Sequence, residues 1–249
     1  MKLLLSNDDG VLAPGLAILA ETLSSIAEIA IVAPDRNCSG AGNSLTLKNP
    51  LRYKTLENGA ISVQGTPTDC VHLAINGLYP DTFDAVISGI NAGANLAEIV
   101  MHSGTVAAAM EGCRLGLPAI AISLAGQDYK NFTHYKTAAL IAKRLISELL
   151  ENPLPPQTIL NVNVPDVLFG QLQGYEITRL GKHHTAERML AERDIRGNEI
   201  YWVGLPGEKK DDGIGTDFYA IANKRVSITP LTLDLTCHST KKLLQKMHF

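Results

Sequence analysis

Two adjacent carboxylates, Asp8 and Asp9, stand in the polar loop Ser6-Asn7-Asp8-Asp9-Gly10, directly behind a short apolar run. Such a pair repels a phosphate unless a divalent cation lies between them and inverts the local field. Two further polar segments carry hard oxygen donors: Asp35-Arg36-Asn37-Cys38-Ser39-Gly40 and Ser88-Gly89-Ile90-Asn91-Ala92-Gly93-Ala94-Asn95. Asp8, Asp9, the Ser39 hydroxyl and the Asn91 amide oxygen make an all-oxygen set that suits Mg²⁺, Mn²⁺ or Ca²⁺ rather than zinc. The plainer alternative reads Asp8-Asp9-Gly10 as a tight turn with a helix cap. That accounts for one loop and leaves the other two unexplained.

Ser103-Gly104-Thr105 offers backbone N–H groups and two hydroxyls at a helix start, where orphan donors and the positive dipole end favour an anion. Simple N-capping is the alternative there. Asn43 and Asn95 have amide hydrogens for phosphate oxygens, although asparagine in a glycine-rich loop is also a turn former. His102 is a candidate proton donor to a leaving oxygen, or a structurally satisfied ring. Lys182-His183-His184 with Arg188, Arg193 and Arg196 form a basic stretch that could reach a nucleotide or simply face solvent. Neither the glycine-rich dinucleotide fingerprint nor a GxxxxGK[ST] loop occurs in the chain. Cys38 and Cys113 have no visible base or cation that would make them nucleophiles.

These loops need a scaffold, and the first two thirds of the chain supplies one by alternating short apolar runs with amphipathic stretches. That is the form of repeated β-α units around a mainly parallel sheet flanked by helices. Strands are expected at Lys2 to Leu5, Glu28 to Ala33, Asp84 to Ser88, Ala119 to Leu124 and Ile159 to Val164. A helix behind Pro14-Gly15 carries Leu16, Leu19, Leu23 and Ile26 at helical spacing. Thr66-Pro67-Thr68-Asp69 reads as a capping box opening a second helix. An alanine-rich helix from Ser103 through Arg114 stops at Gly116 and Pro118, and another contains Leu140 to Leu150. In an open parallel sheet, ligands lie beyond the carboxyl ends of the strands, where all three polar loops converge.

Past Pro165 the composition changes, so the expected division is a catalytic core over 1–165 and a β-rich region over 166–249. The latter has strands at Gln171 to Leu180 and Glu199 to Val203, a charged stretch from Lys182 to Asn198, and a short amphipathic tail helix from Lys241 to Phe249. The 249 residues carry a net charge of -3, leaving no broad cationic surface for nucleic acid. The longest apolar runs fall well short of the roughly 20 residues a bilayer demands, so no membrane partner is expected. Cysteines 38, 70, 113 and 237 show no framework spacing and fit reduced thiols in the cytoplasm.

The segments LLLSNDDG, VAPDRNCSGAGNSLTL, GTPTDCV, VISGINAGANL, HSGTVAAAMEG, GTDFYAI and VSITPLTLDLT, in this order, resemble the SurE family of stationary-phase survival proteins, a nucleotidase family. The resemblance spans almost the whole chain. It implies a Rossmann-like amino-terminal domain and a carboxy-terminal region exchanged between subunits of a homodimer or dimer of dimers. It also implies a metal-dependent phosphatase acting on nucleoside 5′- and 3′-monophosphates, with short polyphosphate as a further substrate in parts of the family. The family's metal ligands fall on Asp8, Asp9, Ser39 and Asn91, binding one divalent cation per subunit. Its phosphate-holding residues fall on Asn95, Ser103, Gly104 and Thr105. Cys38 departs from the basic or polar residue often found there, and Asp194-Ile195-Arg196-Gly197 replaces the usual DPRG.

The expected chemistry is in-line attack on phosphorus by a water held by the metal and one of the two catalytic aspartates, Asp8 or Asp9. A covalent aspartyl-phosphate is the enzymatic rival, although haloacid-dehalogenase-type phosphatases space their acids as DxD. A metal-dependent nucleotide sensor that binds without hydrolysis is the non-enzymatic one.

Overall fold

The computed structural model describes residues 1–79, 82–126, 132–185, 188–204 and 206–247. In β1 (Lys2–Ser6) the run Leu3-Leu4-Leu5 is fully buried, as befits a strand covered on both faces. Strand β1, α1 (Pro14–Leu23) and β2 (Glu28–Pro34) form the first β-α-β unit. Next come β3 (Tyr53–Thr55), β4 (Ile61–Val63) and α2 (Pro67–Leu73), where the capping box of Thr66 and Asp69 is formed as expected. The core continues through β5 (Ala85–Ala92), α3 (Gly104–Arg114), β6 (Ala119–Ala125), α4 (Phe132–Glu151) and β7 (Thr158–Pro165). After β7 lie β8 (Tyr175–Ile177), β9 (Lys182–His183), β10 (Leu190–Arg193), β11 (Glu199–Trp202), β12 (Lys209–Asp211), α5 (Asp217–Ala222), β13 (Val226–Thr232) and α6 (His238–Leu244).

One nine-stranded sheet runs β3-β4-β2-β1-β5-β6-β7-β13-β8, parallel from β4 through β7. Leu16, Leu19 and Leu23 of α1 pack with Ala138, Ala142 and Ile146 of α4 on one face. Val71 of α2 and Val106 and Ala109 of α3 fill the other, giving the three-layer α/β architecture. The register matters for the site: Ser6 of β1 lies opposite Ser88 of β5, so the chain segments after both leave the sheet side by side.

The region after Pro165 is only partly separate. Strand β13 pairs antiparallel with β7, and β8 runs parallel beside β13, so both extend the central sheet. Between them β9 pairs with β12, and β10 with β11, as two-stranded ribbons. The second ribbon exposes Met189, Leu190, Tyr201 and Trp202.

Several boundaries differ from the sequence pattern. Helix α1 stops at Leu23 rather than reaching Ile26, because the Ser24 and Ser25 hydroxyls donate back to the carbonyls of Glu21 and Thr22. The strand expected over Gln171 to Leu180 contracts to β8, since Gly174 turns the backbone to φ +94°. Strand β5 runs past Ser88 to Ala92 through an irregularity between Ser88 and Asn91. The tail helix starts earlier, at His238, and ends at Leu244; positions 248 and 249 of the expected tail lie outside the described residues. Among the described residues no helix is long and apolar enough to cross a membrane.

Candidate phosphate and cation site

The loop after β1 is shaped by its own side chains. Buried Asn7 donates through Nδ2 to the Gly10 carbonyl at 2.9 Å and accepts the Gly10 amide at 3.2 Å. Gly10 takes φ +105°, a left-handed turn that a side chain resists, and its Cα faces the Arg36 backbone. Asp8 and Asp9 are the residues this turn presents.

Three segments then close on them. The Thr105 hydroxyl donates to Asp8 Oδ1 at 2.5 Å. Gly104 lies so close that a Cβ added there would sit 2.7 Å from Asp8 Cβ, so α3 meets β1 through a residue without a side chain. The Ala92 amide donates to Asp9 Oδ2 at 3.0 Å, fastening the end of β5 to the second acid. The Cys38 amide donates to the Asp8 carbonyl at 2.7 Å, which brings the segment carrying Ser39 against the same turn. Asn91 spends its amide N–H on the Gly93 carbonyl at 2.8 Å, so its oxygen is the end left for a ligand.

The electrostatics at the two acids are set mainly by burial, one backbone amide and the acids themselves. Burial pushes the Asp9 carboxyl above its ordinary range; the Ala92 amide opposes this and the neighbouring Asp8 charge adds to it. Among the described residues no Lys, Arg or His is ion-paired with either acid. Two carboxylates, a hydroxyl and an amide oxygen form the donor chemistry of a hard divalent cation, and these residues fit one.

Beside the acids, α3 begins. Ser103 caps it by accepting the Val106 amide at 3.1 Å, leaving the amides of Gly104 and Thr105 as orphan donors. Asn95 is buried and turned toward the sheet: its side chain donates to Ser123 Oγ at 2.9 Å, and its backbone bonds Asn161 and Asn163. Asn43 is exposed and places Nδ2 3.8 Å from Met110 Sδ, while the neighbouring Gly42 amide donates to the His102 carbonyl. His102 itself is exposed. From the basic stretch, His183 bonds Glu98 through Nδ1 at 2.9 Å. The four cysteines are free thiols.

Sequence reasoning missed two anchoring acids. Asp69 accepts the Thr46 amide at 2.8 Å, the Thr46 hydroxyl at 2.6 Å and the Thr66 amide at 2.8 Å, tethering the segment that carries Asn43. Asp217, fully buried, accepts the Ala97 amide at 2.7 Å and the Gly181 amide at 2.8 Å. It thereby holds the turn that leads to Ser103. The signal for Asp69 was its place in the capping box; Asp217 had only its motif, GTDFYAI.

A mainly parallel sheet with paired acids at the exit of its first strand and a helix start beside them defines an α/β protein whose candidate site lies beyond the carboxyl ends of the strands. The family model described as survival protein SurE matches residues 3–187. A 5′-nucleotidase SurE of Legionella pneumophila (strain Philadelphia 1) is 62% identical over 236 residues, covering 95% of this chain and 92% of the relative. A 5′-nucleotidase SurE of Coxiella burnetii (strain RSA 493) is 59% identical, with 95% and 90% covered. The crystal structure of the SurE protein from Aquifex aeolicus superposes with a TM-score of 0.86 at 40% identity, covering 98% of each chain. The chain belongs to the SurE family.

Proposed function

We propose that this protein is a divalent-metal-dependent phosphatase that hydrolyses nucleoside 5′-monophosphates to nucleoside and phosphate. The observation that carries the reading is the pair Asp8 and Asp9, held by the Thr105 hydroxyl and the Ala92 amide beside the start of α3, without a basic partner among the described residues. The names of its relatives point the same way. Asp8, Asp9, Ser39 and Asn91 would hold the cation, Mg²⁺ or Mn²⁺, which when bound supplies positive charge against the phosphoryl oxygens and acidifies water.

The chain's own groups do the rest. The amides of Gly104 and Thr105 hold phosphoryl oxygens and fix the phosphorus for in-line attack. Thr105 orients Asp8, and the Ala92 amide orients Asp9. Asp9 keeps one oxygen clear of that amide, and one of the two aspartates takes the proton from the attacking water. Nucleoside 3′-monophosphates and short polyphosphate present the same terminal phosphoryl group and belong to the same proposal. So does a homodimer in which the ribbon of β10 and β11 is exchanged, because its exposed Leu190, Tyr201 and Trp202 are what a second copy would cover. A reducing cytoplasm suits the four free thiols.

Phosphate release from a nucleoside 5′-monophosphate, with Mg²⁺ or Mn²⁺ and with excess chelator, tests this directly. Release that the chelator abolishes is the expected result. No release with any of several divalent ions would leave the protein a binder rather than a hydrolase.

A further inference from the structure

Residues 35–52 join β2 to β3 without a helix or strand, as a strap that passes the two acids and the start of α3. Of these residues only Gly42 is buried, and Leu45 and Leu47 are 42% and 86% exposed. Apolar burial therefore does little to hold the strap, and its place is set by hydrogen bonds to the body. Its first pin is the Cys38 amide on the Asp8 carbonyl at 2.7 Å, and its second is the Gly42 amide on the His102 carbonyl at 3.1 Å. Ser39 follows the first pin and Asn43 the second.

A third pin lies at the start of α2, where both members of the capping box have a second partner on the strap. The Thr66 hydroxyl accepts the Asp69 amide at 3.1 Å and donates to the Ser44 carbonyl at 2.7 Å. The Asp69 carboxylate accepts the Thr66 amide at 2.8 Å, and its two oxygens also take the Thr46 amide at 2.8 Å and the Thr46 hydroxyl at 2.6 Å. Capping the first turn of α2 requires neither bond to the strap. Asp69 is buried and, among the described residues, has no ion-paired base, so these donors are what stabilise its charge. The anchor also belongs to the frame of the site: a Cβ added at Gly104 would lie 2.9 Å from Cγ of Pro67, the first residue of α2, and 2.7 Å from Asp8 Cβ.

Resting on the cation reading above, we infer that Thr46 and Asp69 are positioning residues whose hydrogen bonds latch the strap, so that Ser39 stands ready for the cation and Asn43 stays beside the start of α3. Neither touches the reacting atoms. A strap released at Thr46 keeps all its ligands but spends part of its time away from the acids. Apparent affinity then falls with the fraction of time the strap is latched, whereas turnover of the filled site does not.

The test is Thr46→Val, which exchanges the hydroxyl for a methyl group and leaves the capping box and the bond from the backbone amide of residue 46 in place. Mn²⁺ binding to the substrate-free protein, read from the paramagnetic resonance of the unbound ion, should weaken about tenfold, the size of one hydrogen bond to a charged group. Thr46→Ser should restore it. Hydrogen exchange at the Cys38 and Gly42 amides should quicken in Thr46→Val while exchange in β1 and α3 keeps its wild-type rate. For a nucleoside 5′-monophosphate, KM should rise with little change in kcat. Unchanged Mn²⁺ affinity in Thr46→Val overturns the inference and leaves the cation reading intact. So does weaker binding accompanied by faster exchange throughout the chain, which would mark a general loss of stability. A wild-type protein that binds no Mn²⁺ overturns both.

Discussion

The two ends of helix α3 each carry a carboxylate taken out of water, and they are treated in opposite ways. At the far end Glu111, 5% exposed, is gripped by Arg114, with Nε at 2.8 Å and a second guanidinium nitrogen at 2.5 Å, and by His72 Nδ1 at 2.7 Å. Burial works to raise its pKa, but the hydrogen bonds and charges of Arg114 and His72 outweigh it and hold the carboxyl below the usual range. At the near end Asp9 has burial and the Asp8 charge raising it and only a backbone amide lowering it. The fold can therefore neutralise a buried acid with its own basic side chains, and among the described residues it does not do so at Asp8 and Asp9. That difference is what the proposal of a cation at Asp8 and Asp9 rests on.

The strongest way to break the comparison is to remove the near-end charge. Asp9→Asn should lower kcat by at least ~10²-fold, the scale of losing a principal electrostatic group, while thermal unfolding shows no loss of stability because no protein cation is orphaned. A marked fall in the melting temperature would mean Asp9 is structural after all. Gly104→Ala forces α3 away from Asp8, and a displacement of that kind should cost on the order of tenfold in kcat/KM. Mn²⁺ titration followed by calorimetry should show weaker binding in the same variant.

The far end sharpens the contrast. Glu111→Gln should leave catalysis nearly unchanged and cost about 1–2 kcal/mol of stability in urea at neutral pH, since Arg114 and His72 are exposed enough to be rehydrated. Because the folded pKa of Glu111 lies below its ordinary 4.5, this contribution is present above that value and is lost as pH falls through the depressed pKa. The difference between wild type and variant should thus shrink in acid; a constant difference would remove the ion pairs from the account. The smallest effect belongs to the ribbon: Trp202→Ser should change unfolding by about 0.5 kcal/mol or less under conditions where the chain is monomeric, while shifting sedimentation toward the monomer.

Much of the near end could be read from residue types alone. Paired acids behind an apolar run, and a hydroxyl-glycine-hydroxyl triplet opening an alanine-rich helix, announce their chemistry locally. What could not be read is which partner each group chooses. Thr105 looks like a phosphate donor, and its hydroxyl is spent on Asp8, 97 positions away in the chain. Asn95 looks like another, and much of its hydrogen bonding goes into Ser123 and Asn163. Such choices depend on strand register, which periodicity does not encode. The same holds for β13, whose pattern announces a strand but not that it returns to pair with β7.

Asp217 carries one more consequence. Every residue assigned to cation and phosphate lies before position 106, which invites trimming the protein to its first 165 residues as a minimal catalyst. The carboxylate at 217, however, fastens the turn at Ala97 from the opposite end of the polypeptide. A shortened version ending at Pro165 should keep all its ligands on paper and still hydrolyse poorly, and because that cut also removes β13 from beside β7, Asp217→Asn in the full chain is the change that measures the distant clasp by itself.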